Sequence, residues 1–278
     1  MRMILTCGET LTVGGKNGAG AKLERAVIER LGARDGAGRL HGSFASLRMT
    51  EVRRILEVMK RILLSWSSGK DSAWSLHVLR QRGEYVVVGL LTTFNEEADR
   101  VAMHAVRREL VERQAAAAGL PLWAVPLPWP CSNAQYEALM ARTCARAVAE
   151  GIEGVAFGDL FLEDVRAYRE KQMKGTGLEP VFPVWGLPTR ALAEEMIASG
   201  TRAKLTCIDT GKLDRSFAGR EFDEALLAAL PEGVDPCGER GEFHSFVYAG
   251  PMLNAVVPVS VGETIAQDQF VFADLVSM

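Results

Sequence analysis

With 278 residues, 48% of them apolar and 24% charged, the chain is long enough for one large α/β domain and a smaller unit around a real core. A net charge of −3 argues against a broad nucleic-acid-binding surface, and no apolar run approaches the ~20 residues that a membrane span needs. The five cysteines (Cys7, Cys131, Cys144, Cys207, Cys237) form no C-x-x-C pair and have no histidine at zinc-like spacing, which points to a reduced, cytoplasmic enzyme.

The first 58 residues differ in character from the rest. They carry ten basic and six acidic residues, against 22 and 29 from Met59 onward. A glycine-rich tract over 14–20 precedes one candidate helix over 21–31, and residues 32–42 show little periodicity. Residues 43–50 resemble translated intergenic repeat sequence of bacterial genomes. The apolar stretch after Met1 is too short for a signal peptide. Together these features predict that 1–58 is a disordered or non-native extension without site residues, with the natural start at Met59. A flexible regulatory extension is the alternative.

From Met59 the elements alternate. Ile62-Leu63-Leu64-Ser65 predicts a buried strand, and a small-residue turn follows before Ser72 opens a helical pattern of Ala73, Trp74, Leu76 and Leu79. Residues 85–92 form a second apolar run, and the helix expected over 101–118 stops at Gly119-Leu120-Pro121. A strand over 122–127, a helix over 132–150, a short strand over 154–157 and a helix over 162–173 come next. A strand over 181–184, a helix over 189–199 and a strand over 203–208 complete the pattern. Strands alternating with helices imply an α/β, Rossmann-like parallel sheet with helices on both faces, assigned to 59–219. Beyond Gly219 one helix near 222–230, a polar loop and strands over 243–248, 255–261 and 269–275 predict a small α+β substrate-side unit over 220–278.

Ligands of such sheets sit beyond the carboxyl ends of the strands, and the densest polar motifs fall there. In Ser67-Ser68-Gly69-Lys70-Asp71-Ser72, small residues let backbone N–H groups converge and the helix start adds its positive dipole end. With Lys70 they make a cradle for a multiply charged phosphate. It is not the Walker-type loop, since Leu64 stands where its first glycine should be and Asp71 follows Gly-Lys. Ser65 and Thr92, at the ends of the first two strands, are assigned to the same nucleotide surface. Gly158-Asp159 ends the fourth strand, and Asp159 with Asp71 is the candidate pair for Mg²⁺ held against phosphates.

A second dense signal is Asp235-Pro236-Cys237-Gly238-Glu239-Arg240-Gly241-Glu242-Phe243-His244-Ser245. Strand alternation would put Glu242 and His244 on one polar surface, able to bind an ammonium or amine donor or to move a proton. Cys207 reads as an inert buried thiol, whereas Cys237 keeps open a nucleophilic or sulfur-carrying role. His104 reads as a helix-face residue and His77 as structural.

The loop at 67–72 resembles the pyrophosphate loop of the N-type ATP pyrophosphatases (the PP-loop superfamily), with Ser68 where that motif has its first glycine. The succession of this loop, Gly158-Asp159-Leu160, Phe182-Pro183-Val184-Trp185-Gly186 and Gly238-Glu239-Arg240-Gly241-Glu242-Phe243-His244 is similar to the diphthine–ammonia ligase family over about 59–251. The histidine-bearing loop and the run at 214–223 resemble its bacterial branch. The resemblance implies ATP-dependent amide formation, in which a carboxylate is adenylated, pyrophosphate leaves and ammonia displaces AMP. It places Ser67, Gly69, Lys70, Asp71 and Ser72 on the phosphates and Asp159 on metal or nucleotide. Glu239, Glu242 and His244 would line the acceptor or ammonia side. ATP and Mg²⁺ are the implied cofactors; the implied partners are ammonia and a carboxylate on a small molecule or a protein side chain. Diphthamide is made on an elongation factor in eukaryotes and archaea, so a bacterial relative would need another carboxylate. A homodimer is compatible with the sequence. Two other classes stay open: an ATP or AMP sensor (an adenine nucleotide alpha hydrolase without ligase activity), and a PP-loop RNA-modifying enzyme. The missing cysteine pairs and the acidic balance from Met59 onward weigh against the latter.

Overall fold

The computed structural model describes residues 59–101 and 105–278. The expectations for 1–58 and for His104 lie outside the described residues. In chain order the elements are β1 (Lys60–Ser65), α1 (Lys70–Arg82), β2 (Tyr85–Asn95), β3 (Arg100–Val101), α2 (Arg108–Ala118), β4 (Leu122–Leu127) and α3 (Asn133–Ala149). β5 (Gly154–Ala156), α4 (Glu163–Met173), β6 (Glu179–Val181), α5 (Thr189–Ala198) and β7 (Arg202–Asp209) follow. A 3₁₀ turn (Arg215–Phe217), α6 (Glu224–Ala229), β8 (Phe243–Ala249), β9 (Val259–Gln267) and β10 (Phe270–Ser277) end the chain.

The first sheet is the expected parallel one. β1 pairs in parallel with β2 and with β5, β2 with β4, and β5 with β6, so the lateral order is β4-β2-β1-β5-β6. The chain builds outward from β1 in one direction, then returns to β1 and builds in the other. That reversal between β1 and β5 is a topological switch point, where loops diverge and leave a crevice at the carboxyl edge. Helices cover both faces, which explains the unbroken apolar run in β1. Ile62 and Leu64 pack with α1, α2 and α5 on one face, and Leu63 packs with Trp123, Cys144 and Met173 on the other.

Local signals set several boundaries. Ser132 caps α3 in a reciprocal capping box with Gln135, and Gly119 closes α2 in the left-handed conformation at φ 70°. The helix expected from Val101 begins instead at Arg108. β2 runs on to Asn95 and pairs Phe94 and Asn95 with Val101 and Arg100 in an antiparallel turn. Arg100 and Arg107 both bind Asp274 of β10, at 2.8 Å and 3.1 Å, and this shared carboxylate favours the extended β3 at Arg100 and Val101 over a helix start there. β6 ends at Val181, two residues before Pro183, which has no N–H to extend the ladder.

β7, read as the last member of the alternation, belongs to a second, antiparallel sheet of order β8-β7-β10-β9. Its buried residues Leu205 and Ile208 share one continuous core with α1 and with Phe243 and Phe246 of β8. The two sheets therefore meet at the edge that carries the phosphate loop: Val247 N–H of β8 donates to the Ser68 carbonyl at 3.0 Å. Among the described residues no helix is long and apolar enough to cross a membrane.

Candidate active site at the switch point

The turn between β1 and α1 is anchored from three sides. Thr92 Oγ1 donates to the Trp66 carbonyl at 2.8 Å, and the Trp66 indole donates to Gln114 Oε1 at 2.9 Å. Gln114 Nε2 in turn donates to the carbonyls of Ser68 and Val247, so one fully buried amide ties the turn to β8. Ser68 sits at φ 70°, the left-handed region in which an L-residue costs ~1–2 kcal/mol, at the position where the PP-loop motif carries glycine. It is fully buried and its hydroxyl has no partner.

The rest of the loop presents small groups. Ser67 Oγ accepts from Gly69 N–H at 3.3 Å and lies 3.2 Å from Ser72 Oγ, which donates to the Gly69 carbonyl at 3.0 Å. A Cβ on Gly69 would lie 3.2 Å from the Ser245 carbonyl oxygen, and one on Gly158 only 2.9 Å from the Ser72 nitrogen. The end of β5 and the start of α1 thus touch backbone to backbone. Ser65, half-buried, pairs with Leu91 at the end of β1, and the buried Thr92 is bonded to the turn through the Trp66 carbonyl.

Lys70 is 1% exposed. Its Nζ lies 2.9 Å from Asp71 Oδ2, donates to the Cys237 carbonyl, and stands 5.1 Å and 5.6 Å from the Phe243 and Phe222 ring centroids. Burial alone would lower its pKa, but the Asp71 carboxylate, together with Cys237 and Glu239, offsets this and the ammonium stays charged. Burial pushes the Asp71 carboxyl up against the pull of Lys70, and Asp71 Oδ1 is buried without a partner. Lys70 N–H donates to Ser245 Oγ at 3.2 Å.

The acidic loop over 235–242 closes on these groups. It is folded around Asp235, which accepts from Cys237 N–H at 2.8 Å and Glu239 N–H at 3.3 Å through Oδ1, and from Thr189 Oγ1 at 2.7 Å through Oδ2. Glu239 Oε1 accepts from Leu160 N–H at 2.7 Å, bringing the loop against Gly158-Asp159. Burial raises the Glu239 carboxyl to about 7. Glu242 is 2% exposed; one oxygen accepts from Asp235 N–H at 3.2 Å and the other is buried without a partner. His244, half-buried on β8 opposite Cys207, is pushed down to about 4 by burial and by the Lys70 charge, so its imidazole is neutral at pH 7.

Burial drives the Cys237 thiol far above its ordinary value, and its Sγ donates to the Thr189 carbonyl at 3.4 Å. Its carbonyl accepts from Lys70, and the buried thiol, held protonated at neutral pH, is a poor nucleophile in this state. The Cys207 thiol is likewise pushed up to about 12. Asp159, raised by burial and opposed by Arg169, accepts from Arg169 Nε at 3.4 Å. Among the described residues no three His, Cys, Asp or Glu side chains converge into a cation cage. A pair such as Asp71, with its unpartnered oxygen, and Asp159 fits the Mg²⁺ habit of using one or two carboxylates plus phosphate oxygens.

Direct contacts link these groups: Ser67 with Gly69 and Ser72, Lys70 with Asp71, Gly158 with the backbone of Asp71 and Ser72, and Glu239 with the Leu160 amide beside Asp159. Glu242 is joined to the same loop through the Asp235 amide. Gln114, Ser245, the Leu160 amide and the Cys237 carbonyl escaped sequence reasoning. Gln114 and Ser245 carry no motif, and backbone groups have no residue-type signature.

Family models match most of the chain from Met59 onward. Residues 59–180 match the family model of the diphthamide synthase N-terminal domain, and 188–274 that of the diphthamide synthase C-terminal domain. A diphthine–ammonia ligase of Bos taurus is 25% identical over 234 residues, covering 77% of this chain and 88% of that protein. The Homo sapiens protein of the same name is 24% identical over 234 residues with the same coverage, and that of Danio rerio 25% over 231 residues, covering 74% and 89%.

Proposed function

The chain belongs to the diphthine–ammonia ligase family, and on that premise we propose that it is an ATP-dependent, AMP-forming amide ligase acting in the cytoplasm. The observation that carries this reading is the contact of the acidic loop with both sides of the switch point. Lys70 Nζ donates to the Cys237 carbonyl, and Glu239 accepts from Leu160 N–H. These two contacts support reading the phosphate-binding, carboxylate and acidic-loop motifs as parts of one site.

In this reading the ATP α-phosphorus faces an acceptor carboxylate. A carboxylate oxygen bonds to it, the α–β bridging bond breaks, and pyrophosphate leaves with the negative charge. Lys70 exchanges the Cys237 carbonyl dipole for a phosphate oxygen, a full charge, and with the N–H groups of the turn stabilises that leaving group by position and electrostatics. Asp71, through Oδ1, and Asp159 would hold Mg²⁺, whose charge offsets that of the phosphates. Ammonium must lose a proton before its nitrogen can attack the acyl carbon and AMP can leave. Glu239, raised to about 7, accepts that proton at neutral pH more readily than His244, whose conjugate acid at about 4 is too strong. Residues 59–219 carry the nucleotide, and 220–278 supply the acceptor side through the acidic loop.

The test is ATP turnover by the full chain with Mg²⁺ and ammonium, resolving AMP plus pyrophosphate from ADP plus phosphate, with and without an acceptor fraction from cell extract. Acceptor-dependent AMP formation that disappears in Lys70→Ala supports the ligase. ATP binding with no turnover points to a nucleotide sensor, and AMP formation that requires tRNA points to RNA modification.

A further inference from the structure

The motif Phe182-Pro183-Val184-Trp185-Gly186 and the arginines of helix α4 have no part in that mechanism, yet they meet beside Asp159. Phe157, which links β5 to Gly158, stacks on Phe182 with centroids 5.8 Å apart, and Phe182 meets Trp185 edge-on at 5.9 Å. Helix α4 lays two guanidiniums, one turn apart, over this row. Arg169 stands 5.1 Å from the Phe157 ring, and Arg166 4.8 Å from both Phe182 and Trp185. From the acidic loop, Arg240 stands 5.3 Å from the Phe161 ring, next in sequence to Glu239. All of this lies at the carboxyl ends of β5 and β6, the edge that carries the phosphate cradle.

The local carboxylates leave most of this donor capacity unused. Glu170 takes only Nε of Arg166, at 2.8 Å, and Asp159 only Nε of Arg169, at 3.4 Å. Among the described residues, no hydrogen bond engages the terminal nitrogens of these three arginines. A guanidinium held against a ring keeps its charge in place, and its free terminal N–H donors remain available to a carboxylate or phosphate, which Arg can take in a bidentate fashion. Ring faces already covered by guanidinium are closed to an incoming ammonium, which would need them bare. From Met59 onward the chain has 29 acidic against 22 basic residues, so three arginines here run against the average charge.

We infer that Arg166, Arg169 and Arg240 form a docking rim that selects an acceptor bearing anionic groups beside the carboxylate that reacts, rather than one bearing a fixed positive charge. Di- and tricarboxylates and carboxylated phosphate esters are the matching class. The word acceptor rests on the ligase reading; the anion preference does not.

Isothermal titration of the full chain, with a non-hydrolysable ATP analogue present, compares two probes: tricarballylate, a tricarboxylate, and carnitine, one carboxylate with a trimethylammonio group. Tricarballylate is expected to bind about tenfold more tightly or better. Arg166→Gln/Arg169→Gln and, separately, Arg240→Gln each weaken it about tenfold, while analogue affinity stays within about threefold. Arg169→Lys falls between, keeping the charge but losing the fork. Circular dichroism checks the fold, and Arg240→Gln carries the test if the double variant does not fold. Equal or tighter carnitine binding, absence of tricarballylate binding, or variants that bind it unchanged would overturn the inference. A parallel loss of analogue affinity overturns it too, by assigning the arginines to the nucleotide. If the analogue fails to bind the unaltered chain, the ligase reading is what suffers, and the probes are compared without it.

Discussion

Replacing Ser68 with glycine should stabilise the ligand-free protein, although the substitution removes a fully buried side chain. At φ 70° the serine backbone is strained by ~1–2 kcal/mol, and its hydroxyl has no partner, a deficit of about 1–3 kcal/mol. Against these, glycine loses roughly 0.5–1 kcal/mol more backbone entropy on folding, and the missing methylene forfeits about 0.8 kcal/mol of burial. The balance favours Ser68→Gly by about 2 kcal/mol. Urea unfolding followed by tryptophan fluorescence should show an unchanged slope and a midpoint higher by about 1 M, for a slope of ~2 kcal/mol per molar. Ser68→Ala separates the two contributions: it removes the hydroxyl but keeps the strain, so its gain should be smaller than that of glycine. If Ser68→Gly unfolds at the same or lower urea, the hydroxyl is satisfied in solution and the turn is not strained, and the reasoning fails.

Gln114→Leu leaves the Ser68 and Val247 carbonyls without their shared donor; thermal unfolding should report a loss of about 2–4 kcal/mol, and nucleotide-analogue titration a weaker affinity. Gly158→Ala drives a Cβ to within 2.9 Å of the Ser72 nitrogen and 3.0 Å of the Asp71 carbonyl carbon, so the start of α1 must shift. Analogue affinity should fall by about tenfold or more, and unchanged affinity would remove this contact from the site. The folded-state pKa of Glu239 is raised from 4.5 to about 7, so its contribution to stability is present below pH 4.5 and is lost as pH rises through 7. Urea midpoints of Glu239→Gln should therefore show less decline across that window than those of the unaltered protein. His244 has the opposite sign: its pKa falls from 6.5 to about 4, so stability is lost as pH drops through that range. His244→Gln should flatten that acid limb.

Much of the architecture was legible because its causes are local. The apolar run of Ile62, Leu63 and Leu64, the helical spacing behind Ser72, the capping residues of α3 and the stop at Gly119 each act within a few neighbours of their own position. Chemistry-bearing residue types in order, from Lys70 and Asp71 through Asp159 to Glu239, marked the loops that lie at the carboxyl edge of the parallel sheet and against it. Tertiary structure alone decided what meets what. A buried strand such as β7 reads the same in either sheet, since periodicity records burial and not the partner. Asp274 favours the extended β3 over a helix start from more than 170 residues away. Lys70 is held by a carbonyl of Cys237, and Glu239 by an amide of Leu160, groups that every residue except proline possesses in full. The arginines of α4 acquired their platform only when Phe157 and Phe182 were stacked by neighbouring strands. Patterns along a chain report the environment of each residue, whereas the identity of its neighbour is set by packing between distant segments.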